Sequence, residues 1–129
     1  MPTFRFNKLI RDKLEEEYVR LHHAATYKRL SERELLEALK QKIIEEAKEI
    51  PVDGPRNEII GELADVEQVL EDIAKRLSIS NEEIRNAKQK KFEKKGGFSK
   101  GLFVEKVSVP DDDEWVEYYR KSPEKYEEL

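Results

Sequence analysis

No cysteine occurs among the 129 residues, so the chain can form neither a disulfide framework nor a thiolate metal site. No run approaches the roughly eighteen apolar residues that would span a bilayer, and no charged-then-apolar leader with a cleavage site is recognisable. A cytoplasmic protein with no membrane partner is the expectation. Apolar residues are also scarce, at 37% against 42% charged, a balance that suits amphipathic helices better than sandwiches or barrels. The length suffices for one domain with one core.

The charge that is present is nearly balanced, 29 acidic against 25 basic side chains for a net -4, but it is unevenly placed. Arg5, Lys8, Arg11 and Lys13 dominate the start, a lysine-rich stretch occupies residues 85–106, and the middle is acidic. An acidic centre repels a polyanion unless a cation intervenes, so nucleic acid is not expected as a partner. Small phosphate ligands with a metal fit both signs together.

Periodicity predicts an all-α fold, a bundle of about four helices with a short extended C-terminal segment. Leu9, Ile10, Leu14, Tyr18, Leu21 and Ala25 place a first helix from Lys8 to about Leu30. Ser31 with Glu34 has the capping-box form and opens a second over about 32–50. Pro51, Gly54 and Pro55 punctuate the chain before a third over roughly 56–77, and so short a link makes the flanking helices antiparallel neighbours. Ser80 with Glu83 repeats the capping box and opens a fourth that Gly96 and Gly97 terminate. From Phe98 to Val109 an extended segment is expected to pack back on the helices, with Phe98 in the core, before Pro110 closes it. Residues 1–110 read as one domain. Residues 111–129, with eight acidic and three basic residues, read as an appendage with a short helix around Trp115, Tyr118 and Tyr119 that packs as an anchor.

On a helical wheel Leu35, Leu36, Leu39, Ile43 and Ile50 share an apolar arc that also contains Glu46, with Glu49 and Lys42 on its shoulder. The next helix places Glu62 within the arc of Ile59, Leu63, Val66, Leu70, Ile73 and Leu77, and Glu58, Asp65 and Val69 beside it. A carboxylate facing a core costs several kcal/mol unless neutralised, paired or metal-bound. Glu58, Glu62 and Asp65 stand four and three residues apart, as like-charged neighbours on one helix. A hard divalent cation turns that repulsion into coordination, and Mg²⁺ takes oxygen ligands while bridging to phosphates. Zn²⁺ is disfavoured by the all-oxygen donor set, and the adjacent His22 and His23 cannot face one ligand from a helix. The competing reading is a solvated face whose glutamates pair with Lys42 or with lysines of the fourth helix.

The stretch Glu45-Glu46-Ala47-Lys48-Glu49, followed after twelve residues by Glu62-Leu63-Ala64-Asp65, resembles the ExxE…ExxD signature of MazG-like, all-α nucleoside triphosphate pyrophosphohydrolases. Phe6-Asn7-Lys8-Leu9-Ile10-Arg11-Asp12-Lys13 resembles the opening of the branch related to phosphoribosyl-ATP pyrophosphohydrolase, and Lys95 to Phe103 resembles its C-terminal motif. The likeness spans about residues 4–107.

What the resemblance implies is hydrolysis of a nucleoside triphosphate to monophosphate and pyrophosphate by water attack at the α-phosphorus. The metal ligands then fall on Glu46, Glu49, Glu62 and Asp65, with Glu45 helping to position or activate water and Mg²⁺, or Mn²⁺ as substitute, as the cofactor. Lys8, Arg11, Lys42, Lys91, Lys94 and Lys95 are candidates for holding the triphosphate through charge-assisted bonds. The bland alternative for the last three is a solvated face near a helix C-terminus. Ile60 and Ala64 lie away from the main arc of the third helix, so a second buried surface, and with it a homodimer or homotetramer, is expected. The alternatives are a phosphoribosyl-ATP pyrophosphohydrolase, which shares the chemistry, and a non-catalytic helical adaptor, which does not.

Overall fold

The computed structural model describes residues 1–129. It is all helical: α1 Leu14–Arg20, α2 Glu32–Lys48, α3 Arg56–Arg76, α4 Asn81–Lys95 and α5 Trp115–Arg120, with no strand. No helix is long and apolar enough to cross a membrane. The chain divides into two compact units, residues 1–93 and 94–129.

Both capping boxes form. The Ser31 hydroxyl accepts from the Glu34 N–H at 3.3 Å while the Glu34 carboxylate accepts from the Ser31 N–H at 3.0 Å, satisfying two donors that the first turn leaves without partners. Ser80 and Glu83 repeat this at 3.1 and 2.8 Å. Between α2 and α3 the Gly54 N–H bonds the Pro51 carbonyl at 2.7 Å. A Cβ on Gly54 would stand 2.8 Å from that of Pro51, so only glycine fits this reversal.

The first helix is much shorter than the periodicity suggests. His22 takes a left-handed conformation at φ 57, and the His23 N–H reaches back to the Tyr18 carbonyl at 2.8 Å, a hydrogen-bond closure that ends α1 after two turns. Ser78, also at φ 57, ends α3 in the same way through Ile79 N–H to Ala74 at 2.8 Å. Glycine performs this role only for α4, where Gly96 has φ 77.

In the first unit α2 and α3 pack as a hairpin. Its buried apolar residues are Leu39, Val69 and Ala74, and Glu46 is buried as well. Leu63, Leu70 and Leu77, expected within the α3 arc, remain about half exposed, whereas Val69 from its shoulder is buried. Glu62, Val66 and Ile73 are half-buried and Val69 is buried, so the buried line of the helix is rotated toward its shoulder. The leucines at seven-residue spacing form a stripe on the surface, with Ile60 also exposed. α4 buries no side chain.

In the second unit the segment after Gly97 is neither a strand nor packed: Phe98, Leu102, Phe103 and Val104 are all exposed, and Phe98, expected in the core, is 99% exposed. The tail does have its own organisation. Tyr119 and Tyr126 meet edge to face at 4.8 Å, Trp115 and Tyr118 at 5.1 Å, and Arg120 pairs with Glu128 through two bonds of 2.7 and 2.9 Å.

With so few buried apolar side chains, Leu39→Ala is expected to cost about 2–5 kcal/mol and to abolish the cooperative unfolding transition of the hairpin in urea monitored by far-ultraviolet circular dichroism. The Ser31 backbone N–H, the Lys28 ammonium and the Ser31 hydroxyl hold the Glu34 carboxyl down at about 2. Its contribution is therefore complete above the ordinary carboxylate value near 4.5 and is lost as pH falls from there toward 2. Glu34→Gln should flatten that limb of the melting temperature against pH.

Candidate metal centre

Residues Glu46 and Glu49 lie one turn apart at the C-terminal end of α2, and Glu62 faces them from the second turn of α3. The hairpin contact thus presses two carboxylate-bearing faces together. Oxygens of all three side chains lie within 4.8 Å of one another. Glu46 is buried, Glu62 half-buried and Glu49 exposed, so the cluster opens to solvent on one side.

Glu62 carries the strongest electrostatic signature. Its Oε2 is sealed from solvent and accepts no hydrogen bond. Burial first, then the adjacent Glu46 carboxyl and the charges of Glu49 and Asp65, push its pKa up. Desolvated oxygens that repel one another are what a hard cation relieves. Oxygens on opposite sides of a Mg²⁺ ion stand about 4.2 Å apart, twice its ligand distance of roughly 2.1 Å, so side chains whose oxygens lie within 4.8 Å of one another need draw in only slightly to share one. The donor set is all oxygen, as Mg²⁺ or Mn²⁺ requires and Zn²⁺ does not favour.

Asp65, on the next turn after Glu62, is engaged elsewhere: the Arg11 guanidinium donates to its Oδ1 at 2.5 Å. Arg11, a candidate phosphate ligand, thus joins the N-terminal segment to α3. Glu45 stands beside the cluster rather than in it, with the Lys42 ammonium at 3.3 Å and that of Lys8 at 3.6 Å. Lys42 also lies 3.5 Å from Glu46. Of the six basic candidates, Lys8, Arg11 and Lys42 therefore contact the acidic residues. Lys91, Lys94 and Lys95 are exposed on α4 and form no ion pair. Glu58 is exposed, and the solvated-face reading holds for it.

Beside the carboxylates lies an open cavity of about 470 Å³ between the segment Phe6–Lys8 and α2, where Gln41, Ile44, Glu45 and Lys48 form the wall and Glu49 the end. Sequence reasoning missed Phe6, Asn7, Gln41, Ile44 and Lys48 as site residues. For the α2 residues a signal existed, since 41, 44, 45 and 48 fall on one face of a helix. For Phe6 and Asn7 there was none, because their approach to α2 is a long-range contact.

A bound divalent cation should stabilise the hairpin by mass action and raise its melting temperature. Glu62→Gln is expected to raise the melting temperature in chelator, because it removes a buried like charge, and to abolish the further rise on adding Mg²⁺ or Mn²⁺. Thermal denaturation of both proteins, with and without the ion, measures this, and an unchanged metal response in the variant excludes Glu62 as a ligand. No protein family, curated protein or solved structure compared with the chain matches it, so these residues and their geometry are the ground for assigning chemistry.

Proposed function

We propose that the protein is a cytoplasmic, Mg²⁺-dependent nucleoside triphosphate pyrophosphohydrolase that clears unwanted nucleotides from the pool. The observation that carries this reading is the convergence of Glu46, Glu49 and Glu62 from two helices, with a sealed and unpartnered oxygen on Glu62. The ExxE…ExxD pattern formed by Glu46, Glu49, Glu62 and Asp65 points the same way.

When bound, a divalent cation would supply an activated water and neutralise charge on the phosphate oxygens. The chain's own groups supply the rest. Glu45, outside the trio yet beside it, accepts the proton of the attacking water as the new bond to the α-phosphorus forms and the bond to the bridging oxygen of pyrophosphate breaks. Lys42, which sits on Glu45 and Glu46, and Lys8, which sits on Glu45, are placed to transfer their ion pairs to the triphosphate. Arg11 holds Asp65 in register on the turn after Glu62.

The exposed stripe of Leu63, Leu70 and Leu77 favours association of two hairpins into a four-helix bundle, making the working enzyme a homodimer or a homotetramer. Seven-residue spacing suits a helix that meets another nearly parallel to its axis.

The test is a panel of ribo- and deoxyribonucleoside triphosphates, with phosphoribosyl-ATP included, assayed for pyrophosphate release in Mg²⁺ and in chelator. Wild type should turn over only with the ion, and Glu46→Gln and Asp65→Asn should each lower the rate by more than roughly 100-fold while keeping the helical circular dichroism. Equal rates in either variant would remove it from the site, and a protein silent toward the whole panel is not this enzyme.

A further inference from the structure

The cavity beside the carboxylates has a composition that metal chemistry alone does not explain. Its lining residues include Phe6, 57% exposed, and Ile44, 43% exposed, together with Asn7, Gln41, Lys8 and Lys48. Glu49 belongs both to this wall and to the carboxylate trio, so an occupant of the cavity lies directly beside the metal centre.

The N-terminal segment is shaped for the cavity. In an extended chain successive side chains point to opposite sides, yet Phe6, Asn7 and Lys8 all line the same groove. The departure is made at Asn7, whose φ of 47 lies in the left-handed region that asparagine tolerates better than other residues with a side chain. Lys8 fastens the segment to α2, with its ammonium 3.6 Å from Glu45 and 5.6 Å from the centre of the Phe6 ring. An inorganic polyphosphate has no use for an aromatic ring, an aliphatic side chain and two carboxamides. A planar heterocycle with a hydrogen-bonding edge and an attached phosphate uses all of them.

Building on the pyrophosphohydrolase reading, we propose that this groove is the base-recognition subsite. The nucleobase lies against Phe6 with Ile44 at its margin, Asn7 and Gln41 bond its edge, and Lys8 and Lys48 face the phosphates. Base preference is then set by the N-terminal segment and one face of α2, apart from the metal ligands.

Isothermal titration in Mg²⁺ with the common nucleoside 5′-monophosphates and with ribose 5-phosphate, which lacks the base, tests this directly. Wild type should bind at least one nucleotide more tightly than ribose 5-phosphate. Phe6→Ala should weaken that nucleotide roughly tenfold and leave ribose 5-phosphate unchanged, and Phe6→Tyr should restore it. Asn7→Gly, which keeps the left-handed turn, should narrow the differences among bases. The proposal is overturned if wild type does not prefer nucleotides to ribose 5-phosphate, or if Phe6→Ala weakens both ligands equally. A protein that keeps the contrast but releases no pyrophosphate upholds the subsite and removes the hydrolase reading instead.

Discussion

Like charge confined at a helix contact is the constraint around which the first unit is arranged. Glu46 is buried where a leucine would ordinarily stand, and Glu62 faces it from the other helix with one oxygen sealed from solvent and without a donor from the chain. Such an arrangement weakens a hairpin whose buried apolar residues are only Leu39, Val69 and Ala74. In the proposed function a bound cation would offset that cost, which would tie the stability of the fold to its chemistry.

The surrounding cations are graded around that centre. Lys42 reaches both Glu45 and Glu46, Lys8 reaches Glu45 alone, and Arg11 reaches Asp65. None contacts the unpartnered oxygen of Glu62, so the neutralisation is incomplete at the helix contact. Because Lys8 and Arg11 come from the N-terminal segment, the same contacts that offset the acidic charge also hold that segment against α2 and α3. Phe6, Asn7 and Lys8 of that segment line the cavity beside the carboxylates.

The exposed apolar face of α3 is the other consequence of how the hairpin packs. Turning α3 so that Glu62 meets Glu46 brings Val69 inward and leaves Leu63, Leu70 and Leu77 outside. Placement of the carboxylates and exposure of the leucine stripe are therefore one geometric choice. In the proposed assembly, the face that the carboxylate cluster displaces from the core becomes the face that a second hairpin covers.

Local rules account for what could be read directly from the chain. Capping boxes at Ser31 and Ser80, the reversal at Gly54 and the spacing of Glu46, Glu49, Glu62 and Asp65 depend on a few neighbouring residues, and α2, α3 and α4 formed within two residues of the bounds their patterns suggest. The end of α1 was less legible, because a histidine rather than a glycine adopts the left-handed turn and no pattern marks that substitution. Tertiary packing alone decided which side of α3 is buried, that Arg11 engages Asp65, and that Phe6 and Asn7 approach α2. Helical periodicity specifies an apolar arc only to within its own width, and the rotation of one helix against another is settled by side chains far apart in sequence.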